Sequence, residues 1–214
     1  MSARSFTPLE YQTLEHYLAS GADTRAHLLL VLGCNTGLRI SELLSLTVGD
    51  CWTGTDVRHE LFVARRRLKG GRGVHRRAVS GRRIPLAGHV RQAVARHLRA
   101  IGTENLAGAL FRSRQSGARA MSRWHAHRLL VDACVACGID RFFVSNHTYR
   151  KTFAQFCYAR TKCLLTTQRC LAHSSPLTTA IYLSVNQDAV DRTILTLTAP
   201  APAENLVPMP AAVA

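Results

Sequence analysis

The chain has 214 residues, with 28 Lys and Arg against 13 Asp and Glu, for a formal net charge of +15. At about 150 residues per domain this length holds one domain, or one with a small appendage, and an apolar content of 47% excludes disorder for most of it. No apolar run reaches the ~18 residues of a membrane-spanning helix, and the polar sequence after Met1–Ser5 lacks the apolar core of a signal peptide, so a soluble cytoplasmic protein is the expectation.

In chain order, Thr7-Pro8-Leu9-Glu10 opens a helix. Thr7 caps it, Pro8 suits the first turn and Glu10 completes a capping box. It runs to about Ser20, where Gly21 stops it. A second, apolar helix covers Thr24 to about Cys34. Gly37 breaks the pattern before a short helix, Arg39 to Leu46. Leu61–Ala64 and Arg83–Leu86 have strand character, and the glycine-bearing segment between them predicts a long β-hairpin. Helices then follow over about Gly88–Ala100, Ser122–Cys137, His147–Arg160, Cys163–Leu171, Pro176–Leu183 and Gln187–Leu197. The tail from Ala199 to Ala214 is rich in Ala and Pro and is expected to be disordered. The fold class is therefore α+β, mainly α: a helical bundle with one small antiparallel sheet.

A pI near 10.6 points to a polyanionic partner, nucleic acid first. The charge is concentrated in Arg58, Arg65, Arg66, Arg67, Lys69, Arg72, Arg76, Arg77, Arg82 and Arg83, offset nearby only by Asp56 and Glu60. Arg65, Arg66, Arg67, Arg72, Arg76 and Arg77 are the candidate DNA contacts. The plain alternative is a solvated basic loop. A membrane surface fits less well, because these cations are not paired with an apolar helical face.

The seven cysteines, mostly inside apolar helical patterns, read as reduced thiols rather than a disulfide framework. Cys134-Val135-Ala136-Cys137 is a lone CxxC with His125 and His127 upstream. Without a second pair at zinc spacing it reads as helix packing, so neither a metal nor a cofactor is expected.

Three segments concentrate polar chemistry. His147 and Arg150 stand three apart at a helix start, where free N–H groups and the helix dipole already favour an anion. Thr36-Gly37-Leu38-Arg39-Ile40-Ser41-Glu42-Leu43-Leu44 sets Arg39 among apolar neighbours. An unpaired arginine is costly there, and Glu42 is its structural partner in the simplest reading. Leu171-Ala172-His173-Ser174-Ser175-Pro176 places a His nine residues before Tyr182.

TGLRISELLSL, HTYRKTF and LAHSSPLTTAIY, in this order, resemble the signature boxes of the tyrosine recombinase, or phage integrase, family. The resemblance covers roughly Phe6 to Leu197 and implies a catalytic domain over residues 1–198, without a separate N-terminal DNA-clamping domain. It implies that Arg39 and Arg150 hold the scissile phosphate, that His147 contacts it, and that His173 donates to a non-bridging oxygen. It implies Tyr182 as nucleophile and Lys69 as the hairpin lysine that protonates the leaving 5′ oxygen. Arg66, Arg67 and Arg72 are the register neighbours of that lysine. Glu42 and Asp50 match structural acidic positions. Two departures are conservative: Ala172 stands where the family commonly has Gly, and Lys151 where a His is frequent.

That reading agrees with elementary chemistry. A phenol with a pKa near 10 needs a cationic pocket to become a nucleophile. Each preorganised donor on the transition state is worth ~100–1000-fold in rate, and the leaving alkoxide needs an acid. The resemblance further implies double-stranded DNA as substrate, four protomers on two DNA sites, a neighbour contact through Val190, Ile194 and Leu197 of the last helix, and an accessory DNA-binding protein. A nucleoid-associated location follows from the same expectation. A non-catalytic DNA-binding module, or a type IB topoisomerase or telomere resolvase, are the alternatives. Residue by residue, Tyr182 has the alternative of a core aromatic, His173 of a helix cap, Lys69 of one more phosphate-contacting cation, and Tyr149 is the rival nucleophile.

Overall fold

The computed structural model describes residues 3–68, 81–114, 119–173, 175–183 and 195, the side chain of Arg66 excepted. Residues 1–183 belong to one packed unit and residues 184–214 to a second. In the second unit only Leu195 is described, so the expected Gln187–Leu197 helix and the Ala/Pro-rich tail lie outside the described residues.

The first helix, α1 (Pro8–Ser20), starts on the expected capping box: Thr7 Oγ1 accepts from the Glu10 amide at 3.2 Å, and Glu10 accepts from the Thr7 amide at 2.8 Å. Arg4, at 2.5 Å, holds the Glu10 carboxyl down to about 2.

The next helix, α2 (Thr24–Thr36), is the axis of the molecule. Its run of Leu28, Leu29, Leu30, Val31 and Leu32 is buried on every side. A helix apolar all round must be surrounded, and it packs against α1 and three later helices, α5 (Gly88–Ile101), α6 (Arg123–Ala136) and α7 (Thr148–Thr161). His97 on α5 ties these layers together. Its Nδ1 lies 2.7 Å from Thr24 Oγ1 and its Nε2 lies 2.9 Å from the Leu110 carbonyl.

Two short helices follow α2: α3 (Ile40–Leu43) and α4 (Val48–Cys51). The expected Arg39–Leu46 helix is thus shorter than its apolar pattern suggests. It gives way to a second capped turn, because Asp50 Oδ2 accepts from both the Thr47 amide, at 2.7 Å, and its hydroxyl, at 2.9 Å.

Strands β1 (Glu60–Val63) and β2 (Arg82–Pro85) pair antiparallel, with Leu61 opposite Ile84 and Val63 opposite Arg82. Leu61, Val63 and Ile84 turn into the core and Phe62 turns out. The chain closes with α7, α8 (Leu164–Leu171) and α9 (Pro176–Leu183), which pack on one another around a small second core of Ala154, Leu171 and Leu183.

The α2–α7 contact depends on one glycine. A Cβ on Gly33 would lie 2.8 Å from Tyr149 Cβ, closer than side chains pack. Gly33→Ala should therefore destabilise the fold by about 1–3 kcal/mol through overpacking, read as a lower urea midpoint at unchanged slope. An unchanged midpoint would mean that the two helices can separate freely.

Candidate active site

Helix α2 ends at Gly37, which sits in the left-handed region at φ +61°. A Cβ there would also run into the Phe153 ring, so both the backbone and the space require glycine. Helix α8 ends in the same way, but on Ala172, at φ 50° and ψ 47°. The His173 amide reaches back to the Gln168 carbonyl at 3.1 Å, the long hydrogen bond of a Schellman turn. Each of these turns leaves carbonyls that no helical N–H can satisfy.

Arg150, on the first turn of α7, joins the two turns. It is fully buried; one guanidinium nitrogen donates to the Gly37 carbonyl and the other to the Leu171 carbonyl at 2.7 Å. Its Nε has no partner among the described residues. Burial first, and the charge of Arg39 second, push its pKa down to about 10, opposed by Glu42 and Tyr182. It therefore remains a cation at neutral pH.

Arg39 sits between α2 and α3, half-buried. Its Nη1 donates to the wholly buried Glu42 at 3.1 Å, and its amide donates to the other Glu42 oxygen at 2.8 Å. The structural pairing is present, and it leaves the guanidinium partly open, with a side-chain exposure of 29%. Glu42 also acts on Arg82 and on Arg150. Glu42 is thus ion-paired with Arg39 and its charge also reaches Arg82 and Arg150, so among the described residues positive charge is in excess here.

His173 is buried just beyond the α8 turn. Its Nδ1 lies 3.0 Å from Thr179 Oγ1, and its carbonyl accepts from Gln168 Nε2 at 2.9 Å. With Thr179 as donor, the ring proton resides on Nε2. Burial, then the charges of Arg150, Arg39 and Arg82, push its pKa down to about 4, so the ring is neutral near neutral pH.

Tyr182, on α9, lies edge-on to His173 with ring centroids 5.1 Å apart, and its hydroxyl is 3.4 Å from His147 Nδ1. His147 is exposed at the start of α7, where its amide donates to Ser145 Oγ at 3.1 Å. Beside it an open groove is lined by Ile40, Arg123, Trp124, His127, Asn146 and His147.

The profile of the phage integrase family matches residues 4–188. The chain belongs to that family.

It is 29% identical over 177 residues to the probable integrase/recombinase YoeC of Bacillus subtilis, covering 83% of this chain and 86% of the relative. It is 29% identical over 176 residues to the tyrosine recombinase XerD of Corynebacterium glutamicum, covering 81% of this chain and 52% of that one. Among solved structures it superposes on the XerA recombinase with a TM-score of 0.68 at 22% identity, over 91% of this chain and 65% of the other. On the XerH site-specific recombinase in a post-cleavage complex with palindromic difH, the TM-score is 0.68 at 19% identity, over 92% of this chain and 54% of that one. The chain therefore spans most of YoeC but about half of XerD and of XerH. The fold is that of tyrosine recombinase catalytic domains.

The structure brings Arg39, His147, Arg150, His173 and Tyr182 of this integrase-family chain to one place. The rival Tyr149 is buried against Gly33, and burial pushes its phenol well above the ordinary range. Lys69, Arg72, Arg76 and Arg77, and the side chain of Arg66, lie outside the described residues. Arg65 is exposed on the 3-10 turn Arg65–Arg67, whereas Arg67 is ion-paired with Asp50. Cys134 of the CxxC is buried, and burial pushes its thiol up to about 12, as for a packed and unreactive cysteine. All seven cysteines are free, and among the described residues no cluster of His, Cys, Asp and Glu could hold a metal ion. No described helix is long and apolar enough to cross a membrane.

Two residues of the site escaped the sequence reading. Thr179 stands six residues after His173 with no pattern to single it out. Arg82 is one cation among many in a basic run, yet its Nη2 donates to the Cys170 carbonyl at 2.7 Å.

Two outcomes follow from this geometry. His173 has an ordinary value of 6.5 when exposed and about 4 when folded. The unfolded chain therefore takes up its proton first on acidification, and the stability from the neutral ring is present above 6.5 and lost as pH falls toward 4. His27 and His97 are also pushed down by burial and add to the same slope. Urea melts should weaken over that window, and His173→Gln should remove part of the slope; an identical slope would place the ring in solvent. Ala172→Gly should relieve the left-handed strain at φ 50° and stabilise by about 1 kcal/mol, seen as a higher urea midpoint.

Proposed function

We propose that this chain cleaves and rejoins double-stranded DNA at specific sites through a covalent 3′-phosphotyrosyl link on Tyr182. The observation that carries the reading is the Tyr182 hydroxyl, 3.4 Å from His147 Nδ1 and with its ring on His173, in a cluster where Arg39 is ion-paired with Glu42 and Arg150 and Arg82 hold backbone carbonyls. Such a site is built for an anion with a nucleophile at its edge.

In the proposed step the Tyr182 oxygen attacks phosphorus and the bond to the 5′ oxygen breaks. His147 is placed to take the phenolic proton. Arg39, Arg150 and the protonated Nε2 of His173 hold the non-bridging oxygens as charge builds. Lys69 is the proposed acid that delivers a proton to the leaving 5′ oxygen. The phosphotyrosyl bond conserves the energy of the broken linkage, so the reverse step rejoins a strand without ATP. The cations supply the charge stabilisation in place of a metal. DNA as the partner is supported by neighbours solved with it: the Tn1549 transposon integrase with transposon right end DNA, XerH with difH and a lambda integrase dimer on a core site. Recombination would require two DNA sites held by four protomers, with an accessory DNA-binding protein as a further proposed partner.

The test is covalent trapping in the native host. Tagged protein is recovered under denaturing conditions, with Tyr182→Phe alongside, and attached DNA is sequenced. DNA on the tyrosine form alone is the expected result. DNA on both forms would move the nucleophile elsewhere. DNA on neither would favour a binding module over an enzyme.

A further inference from the structure

Arg150 is not the only guanidinium that spans the two turns. Arg82, the first residue of β2, lies opposite Val63 and is half-buried. Its Nη2 is 2.7 Å from the Cys170 carbonyl and 3.4 Å from the Thr36 carbonyl. Arg150 holds the next carbonyl along on each side, Leu171 and Gly37. Two arginines from different layers therefore clasp adjacent carbonyls of the same two helix ends. One comes from α7 and the other from the sheet.

The arrangement has a physical logic. The C-termini of α2 and α8 carry partial negative charge and unsatisfied carbonyls. Bringing two such ends together is unfavourable without donors between them. Arg150 alone supplies a donor to each turn at a single carbonyl, which leaves the turns free to pivot about it. A second donor one residue earlier on both chains removes that freedom. It also connects the turns to β2, the strand that follows the segment carrying Lys69.

We propose that Arg82 is a positioning residue for DNA cleavage, fixing the Gly37–Arg39 turn and the Ala172–His173 turn at one separation so that Arg39 and His173 meet the same phosphate. The inference rests on the strand-transfer reading above, and it adds a residue that none of the three signature boxes contains. Burial holds His173 in its neutral form, and Arg82 adds to this after Arg150 and Arg39.

The test uses the full chain, its Arg82→Met and Arg82→Lys variants, and a duplex carrying the DNA site recovered by covalent trapping. With DNA saturated, Arg82→Met should form the Tyr182 adduct about 100-fold more slowly, the cost of a misplaced group, while DNA affinity changes less than about threefold. Arg82→Lys should regain part of that rate. In the DNA-free protein, an NMR titration should find the His173 ring at its wild-type position in Arg82→Lys and shifted slightly up in Arg82→Met, where burial and the other two arginines still hold it down. Arg82→Gln, which keeps a donor without the charge, replaces Arg82→Met if the latter does not fold.

An unchanged saturated rate with lost affinity would make Arg82 a phosphate contact and overturn the proposal. So would a loss of stability with an unchanged rate per folded molecule, or an unmoved His173 titration in Arg82→Met. If wild-type protein forms no adduct with any DNA, the strand-transfer reading fails instead, and the titration still decides whether Arg82 controls His173.

Discussion

The site exists because two helix C-termini end on the same arginine. Helices α2 and α8 each stop at a left-handed residue, Gly37 and Ala172. Each turn frees carbonyls whose dipoles point out of the helix end. Left alone, these ends would repel one another and would each need water. Arg150 answers both at once, because its planar fork can donate in two directions while staying charged. Its burial is costly, as the fall of its pKa to about 10 records. That cost is offset by two carbonyls and by the nearby carboxylate of Glu42. The same residue keeps its Nε buried, with no partner among the described residues.

Charge accounting then explains the character of the pocket. Arg39 pairs with Glu42, whose carboxylate is wholly buried and accepts from the Arg39 side chain and amide, while the charge of Glu42 also acts on Arg82 and Arg150. A matched number of carboxylates would have made an inert ion-pair network. Among the described residues the cluster has fewer carboxylates than guanidiniums, which leaves it satisfied enough to fold and short of negative charge. Burial lowers the pKa of His173 to about 4, and the charges of Arg150, Arg39 and Arg82 add to that fall. A neutral imidazole is still a hydrogen-bond donor, so His173 can serve a phosphate without adding to the repulsion among the arginines.

Much of this was legible in the residues, and the parts that were not share a physical cause. The Thr7–Glu10 capping box and the bounds of α9 follow from local chemistry, and the structure reproduces both. The two readings of Arg39 turned out to be compatible, because a salt bridge to Glu42 orients a guanidinium without covering it. The choice between Tyr182 and Tyr149 rested on spacing in the sequence, and burial supplies an independent reason for the same choice. The break of the Arg39–Leu46 helix was missed because the Thr47–Asp50 box caps only four residues, too few to show a period. Arg82 was missed for a deeper reason. Its acceptors are backbone carbonyls, 46 and 88 residues away in sequence. A side chain that recognises backbone leaves no partner residue type for a pattern to reveal.

The third helix end at the site behaves oppositely to the first two. Helix α7 presents its N-terminus, the positive end of the dipole, beside the Tyr182 hydroxyl. Ser145 accepts the His147 amide, and Thr148 Oγ1 accepts the Ser145 amide at 3.0 Å, so the turn before α7 is held by hydroxyls. The His147 Nδ1 lies 3.4 Å from the Tyr182 hydroxyl. The negative ends of α2 and α8 are thus clasped by arginines, while the positive end of α7 stays beside the phenol. All three arrangements raise the local potential in the same sense. The Tyr182 phenol on the short helix α9 lies beside the His173 ring and the His147 imidazole and faces that potential, the setting that the proposed attack on an anion requires.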